Sequence, residues 1–432
     1  MFVSENLNVN EKGNLTIGGL DTVKLAEQYG TPLYVMDEEA IRDSVRRFKS
    51  SIDKYYGGQG MVFYASKAFS CLEMCRIMKE EGIGLDVVSI GELYTAVKAG
   101  FDCENIGFHG NNKTDEELRY ALECGVGHII VDNISELMRL EAMAKEMGVT
   151  AQIMFRIKPG IDAHTHDFVK TGQIDSKFGF ALETGEAYEA VKQAISCENV
   201  VLRGLHCHIG SQIFDIDPFE EAAKVMLGFI AKIKNELGYE IKELNLGGGF
   251  GIKYLSSNDP APFETYMERV SVVVKALCQE YGIAQPFILI EPGRSIAAPA
   301  GITLYKVGAR KEIPNIRTYV SVDGGMCDNP RYILYKSEYE AIVANKANEA
   351  RDEKITIAGK CCESGDLIGE GMDLQHAESG DIIAVCATGA YNYSMSSNYN
   401  RIPKPAVVFV NKGESRIVVK RETLDDIIRN DI

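Results

Sequence analysis

Short apolar runs alternate with longer segments of helical spacing between about residues 60 and 295. Eight runs are short and apolar, as expected of buried strands, and they are MVFYA, GLDVV, NIGFH, HIIVD, QIMFRI, VLRGLHCHI, ELNLG and FILIE. The intervening segments, such as DPFEEAAKVMLGFIAKIKNELG, place apolar residues at helical spacing. Several of these helices are predicted to end at a glycine, at Gly82, Gly100, Gly125, Gly148, Gly238 or Gly282.

This alternation predicts an α/β domain, a (β/α)8 barrel of the TIM type, over residues 33–297. A doubly wound open sheet shares the alternation. It is disfavoured because the eight units are uninterrupted and no dinucleotide-binding fingerprint follows the first strand.

The pattern changes after residue 298, where short β-like runs such as ITLYKVGA and AVVFVN recur with turns between them and little helix. This pattern predicts a second, antiparallel β domain. Residues 1–32 contain a predicted hairpin, LNVN-EKG-NLTI, and are too few to fold alone. We therefore expect residues 1–32 to add strands to the β domain of residues 298–432, so that the barrel is inserted within it.

Composition narrows the class of protein. The 46 Lys and Arg against 62 Asp and Glu give a net charge of −16, which argues against a nucleic acid as partner. The N-terminus lacks a secretory pattern, and no apolar run approaches the ~18 residues of a membrane span. Eleven irregularly spaced cysteines without a CxxC pair are typical of reduced thiols. These features predict a cytoplasmic protein without membrane contact.

Polar residues follow strand after strand of the predicted barrel. They are Lys67, Asp86, His109, Arg156, His208, the glycines of LNLGGGFG, Glu291 and Arg294. A lysine at the end of a buried strand is costly without a partner or a task. Because the carboxyl ends of barrel strands form active sites, these residues predict one there.

Two glycine-rich loops follow the seventh and eighth predicted strands, where barrels commonly hold a phosphate. Gly247, Gly248, Gly249 and Gly251 lie in the first loop, and Gly293 and Arg294 lie in the second. Glycines let backbone amides approach an anion closely. The glycine run alone is equally consistent with a plain tight turn, but two adjacent loops in the expected places favour phosphate, to which Ser211 could add a hydroxyl donor.

A phosphate site together with Lys67 predicts pyridoxal phosphate, whose aldehyde condenses with a lysine amine. Glu291 is placed to face the ring nitrogen and favour its protonated form, although an ion pair with Arg294 is the alternative. His208 either stacks on the ring or is a core histidine. The HCH segment (206–208) resembles a metal pair, but no carboxylate or third histidine accompanies it, so no metal is predicted.

Other polar segments have both structural and functional interpretations. His164 and His166 lie in a polar stretch interpreted as a solvated active-site loop, and residues 392–399 suit a surface loop or cofactor contacts. Neighbouring cysteines at 361 and 362 would point to opposite faces of a strand. Arg331 and Tyr335 would share one face of a helical turn, or would simply be exposed.

Taken in order, these motifs closely resemble those of the fold-type III pyridoxal-phosphate-dependent decarboxylases, which have an alanine racemase-like barrel. The resemblance covers residues 31–408 and rests on YASKA, LDVVSIGEL, FHGNNK, PGIDAHTH, TGQIDSKFGF, HCHIGSQ, LGGGFGI, EPGR, DGGMCDNPR, CCESGD and ATGAYNYSM. It implies that Lys67 binds the cofactor covalently, that His208 stacks on its ring and that Glu291 meets its nitrogen. The remaining cofactor contacts expected on this basis are Asp86, Ser211, Gly248, Gly249, Gly293, Arg294 and Tyr391.

The resemblance also selects a catalytic cysteine. The essential cysteine of this family immediately precedes Glu-Ser-Gly-Asp, which indicates Cys362 rather than Cys361. In the family it reaches the site of the neighbouring chain, so the resemblance implies a homodimer with shared active sites.

The implied activity is decarboxylation of meso-2,6-diaminopimelate to L-lysine and CO2, the last step of lysine biosynthesis. The distal end of that substrate carries an ammonium, for which Glu363 is suited, and a carboxylate. The residues expected near the carboxylate are Arg294, Arg331 and Tyr335, and Tyr391 is a further expected substrate contact. One departure from the family pattern is Tyr332, where proline is expected.

Three alternatives remain. An ornithine, arginine or carboxynorspermidine decarboxylase of the same fold is disfavoured by Arg331 and Glu363. A racemase would place arginine at the ring nitrogen, where this chain has Glu291. A non-catalytic regulatory relative should have lost Lys67, the glycine loop or Cys362, and all are present.

Overall fold

The computed structural model describes residues 2–161 and 176–432. The N-terminal segment forms three short strands, a helix, a longer strand and a long helix. They are β1 (Leu7–Val9), β2 (Leu15–Ile17), β3 (Leu20–Asp21), α1 (Thr22–Tyr29), β4 (Leu33–Asp37) and α2 (Glu38–Tyr56).

Strands and helices then alternate. The strands are β5 (Gly60–Ala65), β6 (Gly84–Val87), β7 (Ile106–Phe108), β8 (His128–Val131), β9 (Ala151–Lys158), β10 (Phe180–Ala181), β11 (Val200–His206), β12 (Glu243–Asn245) and β13 (Phe287–Ile290). The helices are α3 (Leu72–Glu80), α4 (Ile90–Lys98), α5 (Asp115–Cys124), α6 (Ile134–Met147), α7 (Glu186–Ser196), α8 (Asp217–Leu237), α9 (Phe263–Tyr281) and α10 (Arg294–Ala297).

The remainder of the chain is mainly strand. Its elements are β14 (Gly301–Ile313), β15 (Arg317–Val322), α11 (Arg331–Tyr335), β16 (Ala341–Val343), β17 (Glu353–Ala358), β18 (Leu367–Leu374), β19 (Ile382–Val385), β20 (Ala406–Asn411), β21 (Glu414–Val419) and α12 (Leu424–Ile428). The chain divides into two compact units. The barrel unit comprises Ser44–Gly251 and Pro260–Gly293, and the β unit comprises Met1–Asp43, Ile252–Asp259 and Arg294–Ile432.

Eight parallel strands close the barrel in the order β5, β6, β7, β8, β9, β11, β12, β13, with β13 pairing back to β5. The predicted eight strands and the predicted barrel are confirmed. Most strand positions are buried, as expected where helices cover a parallel sheet. The glycines predicted to end helices all have positive φ, from 62° at Gly282 to 76° at Gly100, which is the left-handed conformation of a helix end.

The β unit is built around the 13-residue strand β14, which pairs with β4, β15 and β19. The predicted β domain is confirmed, but its sheet is mixed, because β4 runs parallel to β20 and β15 runs parallel to β17. The predicted hairpin is also confirmed, as β1 pairs with β2 antiparallel.

One assignment needs correction. The predicted barrel boundary at residue 33 includes Leu33–Asp37, but this strand lies between β14 and β20 in the sheet of the β unit. All five residues are buried, and a continuous apolar run has the same appearance in either type of sheet. Residues before it form a separate three-stranded sheet, β1-β2-β3, rather than adding strands to the larger one. Among the described residues, no helix is long and apolar enough to cross a membrane.

Candidate active site

Lys67 lies in a single 3-10 turn, Ser66–Ala68, directly after β5, and its side chain is exposed whereas its neighbours are buried. The positive charge of Lys67 affects the pKa of His208, which follows β11. Burial lowers the pKa of His208 well below its usual value, and the charges of Lys67 and Arg156 lower it further. The Nδ1 atom of His208 accepts a hydrogen bond from the Gly248 amide at 3.3 Å. A neutral imidazole therefore lies beside the lysine.

Glu291, at the end of β13, is surrounded by hydrogen-bond donors. Its Oε1 atom lies 2.8 Å from Nε2 of His109 and 2.6 Å from Nδ2 of Asn245, and its Oε2 atom lies 3.2 Å from Nε2 of His206. All four side chains are at least nine-tenths buried. Asn245 is held in turn, because its Oδ1 atom accepts the Gly247 amide at 2.9 Å.

The electrostatics of this cluster favour an anionic Glu291. Burial alone would raise the pKa of this carboxyl, but the adjacent His109 and His206 outweigh it and hold the pKa well below its usual value. Burial lowers the pKa of His206 to about 4, so that this ring donates a hydrogen bond as a neutral imidazole. Asp86, with Oδ1 3.8 Å from His109 Nε2, has a raised pKa because of its burial.

The HCH segment was predicted not to bind a metal because no carboxylate or third histidine accompanies it in the sequence. The structure places His206 with His109 and Glu291, whose ligand atoms lie within 4.8 Å of one another. A carboxylate and a third histidine therefore do accompany His206 in space, because β11 and β13 lie on either side of β12 in the barrel and His109 follows β7.

The glycine loops are crowded at their Cα atoms. A Cβ on Gly248 would lie 2.2 Å from the Glu291 carbonyl oxygen, and one on Gly247 would lie 2.5 Å from the Cys207 carbonyl oxygen. Gly249 has φ of 108°, and a Cβ there would lie 2.6 Å from the Gly210 carbonyl oxygen. Only glycine fits where the loops after β11, β12 and β13 converge. The result is a cradle of backbone without side chains, which suits a phosphate.

Pyridoxal phosphate fits the residues of the barrel unit. Lys67 supplies an amine, the loops with Gly248 and Gly293 supply backbone amides, and Glu291 supplies a buried anion that three donors hold in place. These are the three groups that the aldehyde, the phosphate and the ring nitrogen of that cofactor require.

In the β unit, two arginines converge on one phenol. Nη1 of Arg294 lies 2.6 Å from the hydroxyl of Tyr254, and Nη1 of Arg331 lies 3.0 Å from the same oxygen. Arg331 also donates to the Tyr339 hydroxyl at 2.8 Å. The guanidinium of Arg294 lies 4.8 Å from the ring centroid of Tyr391, and that of Arg331 lies 5.7 Å from it. Arg331 lies on the predicted helical turn but is buried, so the alternative of a simply exposed arginine is wrong.

Cys361 and Cys362 differ in environment as predicted, but for another reason. Cys361 is buried and Cys362 is exposed, yet both lie in a bend after β17 rather than on a strand. The carboxylate of Asp366 fixes this bend by accepting the amides of Cys361 at 2.7 Å and Met326 at 2.6 Å. Glu363 is exposed, and its Oε1 atom accepts the amide of Gly365 at 3.2 Å.

Asp366 thereby joins two loops of the β unit, the one before Arg331 and the one that carries Cys362 and Glu363. It is buried, and it occupies the space where a Cβ on Gly325 or Gly359 would otherwise lie, at 2.5 and 2.2 Å from its oxygens. The Asp366 carboxylate thus explains Gly325 and Gly359, whereas a Cβ on Gly324 would meet Tyr305 and Asp328.

Sequence reasoning missed Asn245, Tyr254 and Tyr339. Only Leu246 separates Asn245 from the glycine run. A polar residue on a buried strand indicates a specific partner, so Asn245 could have been found from the sequence. Nothing in the sequence pairs Tyr254 with two distant arginines. Of the remaining predicted residues, Ser211 and Tyr335 are half-buried, and His164 and His166 lie outside the described residues.

Residues 38–298 match the family model described as "Pyridoxal-dependent decarboxylase, pyridoxal binding domain". Together with the barrel and its lysine, glycine and carboxylate groups, this match defines a pyridoxal-phosphate-dependent decarboxylase. The chain is also 51% identical to the diaminopimelate decarboxylase of Bacillus subtilis over 432 residues, covering 100% of this chain and 98% of that one. It is 52% identical to the enzyme of that name from Bacillus methanolicus, with 98% of each chain covered. The chain belongs to the diaminopimelate decarboxylase family.

Solved structures agree. The diaminopimelate decarboxylase of M. jannaschii in co-complex with L-lysine is 37% identical, with a TM-score of 0.92 and coverage of 100% of this chain and 99% of that one. The Helicobacter pylori enzyme complexed with L-lysine is 31% identical, with a TM-score of 0.86 and coverage of 95% and 98%. Both support the barrel and the β unit described above.

Proposed function

We propose that this chain decarboxylates meso-2,6-diaminopimelate to L-lysine and CO2, with the barrel residues serving pyridoxal phosphate and the β-unit residues recognising the distal end of the substrate. The observation that carries the substrate assignment is the environment of Arg331. Among the described residues, its hydrogen-bond partners are two phenols, and no carboxylate lies within ion-pair distance. A buried guanidinium in this state suits a carboxylate ligand.

The barrel residues have distinct proposed roles. Lys67 would hold the cofactor through its amine, a neutral His208 would contact its ring, and an anionic Glu291 would favour a protonated ring nitrogen. Pyridoxal phosphate supplies an electron sink that makes loss of CO2 from an amino acid possible. An anionic Glu291 sustains that property, because a carboxylate beside the nitrogen stabilises its protonated form.

The β-unit residues distinguish substrates. Arg331 and Arg294 would bind the distal carboxylate, with Tyr335 and Tyr391 beside them, and Glu363 would bind the distal ammonium. An ornithine-type substrate lacks the carboxylate and would leave the guanidinium of Arg331 without an anionic partner, which costs binding free energy.

Cys362 is the proposed proton donor after CO2 leaves. It is exposed, as a group that reaches another molecule must be, whereas Cys361 is buried and its pKa is raised chiefly by that burial. We further propose a homodimer in which Cys362 and Glu363 serve the site of the partner subunit, working in the cytoplasm.

The direct test measures CO2 release from meso-diaminopimelate, ornithine, arginine and lysine in parallel with purified protein loaded with pyridoxal phosphate. We expect release from diaminopimelate alone at a substantial rate. Equal release from ornithine would contradict the substrate assignment while leaving the cofactor assignment intact.

A second test removes the proposed carboxylate ligand. Truncating one partner of a buried charge-assisted pair costs about 2–5 kcal/mol, so Arg331→Ala should lower kcat/KM for diaminopimelate at least about tenfold. Absorbance of the bound cofactor should be unchanged. Arg317→Ala is the matched control, because that arginine pairs with Glu370 at the surface of the same unit. Equal losses in both variants would show a general effect on folding.

A further inference from the structure

Tyr254 is a buried residue of the short segment Ile252–Asp259, which follows the glycine loop in sequence but belongs to the β unit. Its hydroxyl oxygen accepts hydrogen bonds from Nη1 of both Arg294 and Arg331. The guanidiniums also lie over its ring, with carbon-to-centroid distances of 5.7 Å for Arg294 and 5.4 Å for Arg331. Tyr254 is not among the site residues predicted from the sequence.

The guanidiniums of Arg294 and Arg331 repel each other, and their hydrogen bonds to the Tyr254 hydroxyl hold them close together. Because both Nη1 atoms bond the same oxygen, they lie no farther apart than the two hydrogen bonds allow, and one carboxylate can bridge groups at that separation. Nearby in the same unit are the Tyr339 hydroxyl, which accepts a hydrogen bond from Arg331, and the ring of Tyr391, which lies close to both guanidiniums. Nδ2 of Asn392 donates a hydrogen bond to the Tyr339 hydroxyl at 3.4 Å and so helps to hold that hydroxyl in place.

We propose that Tyr254 is a positioning residue for substrate specificity, which holds Arg294 and Arg331 together so that they bind the distal carboxylate as a pair. This proposal rests on the proposed function and deepens it. The hydroxyl shares its lone pairs with the two guanidiniums, and the ring keeps water away from them. Without it, each arginine would adopt its own position, and a single carboxylate could no longer satisfy both.

The electrostatics are consistent with this geometry. Burial raises the pKa of Tyr254, but the charges of Arg294 and Arg331 outweigh it and leave the pKa below its ordinary value. The phenol ionises at a lower pH than a free tyrosine would. As an anion it would neutralise one guanidinium, so affinity for a carboxylate substrate should fall as the pH rises through the pKa of Tyr254.

The test compares Tyr254→Phe with wild type on two substrates, meso-diaminopimelate and D-lysine, which presents the same reacting centre without a distal carboxylate. We expect KM for diaminopimelate to rise at least about tenfold with little change in kcat, because only binding of the distal group is weakened. The kcat/KM for D-lysine should be unchanged, because D-lysine has no distal carboxylate for the arginines to bind. The alkaline rise of KM for diaminopimelate should also disappear in the variant.

Tyr332→Phe is the matched control. It removes a phenolic hydroxyl next to Arg331 in the same helix, but that hydroxyl binds Glu370 rather than an arginine. It should leave KM for both substrates within about twofold of wild type.

Three outcomes separate the possibilities. If Tyr254→Phe lowers kcat/KM equally for both substrates, Tyr254 has a general structural role and the inference is overturned. If Arg331→Ala weakens binding of diaminopimelate and Tyr254→Phe does not, Tyr254 does not position the arginines, although the proposed function stands. If neither variant changes KM for diaminopimelate, the distal-carboxylate site itself is wrong. Circular dichroism and cofactor absorbance establish that each variant is folded and loaded.

Discussion

The Lys67 side chain is exposed, whereas Ser66 and Ala68 on either side of it are buried. A flexible amine on a rigid turn can reach a ligand while its backbone stays fixed. Asn245 and Glu291 illustrate the opposite case, in which every polar atom of the contact is fixed by a neighbour.

We predict that Lys67 is the residue that carries the cofactor. Borohydride reduction of the loaded protein followed by peptide mapping should find the pyridoxyl group on Lys67, because its turn follows the first barrel strand and its side chain is exposed. Lys113 is an internal control, since its ammonium is buried and bound to Glu136 at 2.7 Å. A label on any lysine other than Lys67 would refute the assignment.

A pH dependence of stability follows from His206. Its pKa in the folded protein is lowered, chiefly by burial, to about 4, whereas the unfolded chain has the ordinary value of 6.5. Between these values the unfolded state binds more protons, so stability should fall as the pH drops from about 6.5 towards 4. His206→Gln keeps a donor for Glu291 but cannot titrate, and should therefore lose less stability on acidification.

The measurement is the urea midpoint of the cofactor-free protein at about pH 5 and pH 7.5. His376 provides a control of opposite sign. Hydrogen bonding to Glu353 raises its pKa, so its contribution is present at low pH and is lost as the pH rises. If His206→Gln and wild type lose equal stability on acidification, His206 does not account for the acid sensitivity.

At the scale of elements, the loops after β11, β12 and β13 meet at backbone atoms. The contact of Gly248 with the Glu291 carbonyl leaves no room for a methyl group. The phosphate cradle and the position of Glu291 therefore depend on the same close approach, so one substitution should disturb both.

We predict that Gly248→Ala weakens pyridoxal phosphate affinity at least about tenfold, because the loop must move to accommodate a Cβ. Gly228→Ala is the control, since Gly228 lies within α8 with no atom within 4 Å of the added carbon. It should bind cofactor normally and be slightly more stable, by about 0.5–1 kcal/mol. Fluorescence titration of the cofactor-free proteins measures both affinities. Equal affinities would contradict the role assigned to the cradle.

The periodicity of the sequence was sufficient to predict the eight barrel strands and the second β domain, because strand length and burial are local properties. The position of β4 was not predictable in this way, since Leu33–Asp37 is apolar throughout and its sheet is decided by partners far along the chain. Likewise, Lys67 and Glu291 follow strands and were visible, whereas Tyr254 acquires meaning only beside Arg294 and Arg331.

At the scale of the whole molecule, the exposed Cys362 and Glu363 are the residues most relevant to assembly. Both are solvent-accessible in the single chain, although each has a proposed role in chemistry that requires a closed site. A homodimer with shared sites would remove this contradiction, because the partner would cover them.

Complementation tests this assembly. Chains with Lys67→Ala and chains with Cys362→Ala should each be nearly inactive, and mixing them should restore activity, because a mixed dimer would contain one intact site. Random exchange gives an upper limit of about a quarter of the wild-type sites. Cys361→Ala alone should remain active. If subunit exchange is verified and no activity returns, each site is built within one chain.

Asp366 has a consequence for the redesign of substrate choice. Its buried carboxylate anchors the bend that carries Glu363 through the amides of Cys361 and Met326, whereas the exposed Glu363 side chain accepts only local hydrogen bonds from Ser364 and Gly365. Substitution at 363 should therefore change substrate binding more than folding, whereas 325, 359 and 366 form an interlocked set. Libraries that randomise 363 alone should yield mostly folded variants with altered selectivity, whereas libraries spanning 359–366 should yield mostly inactive protein.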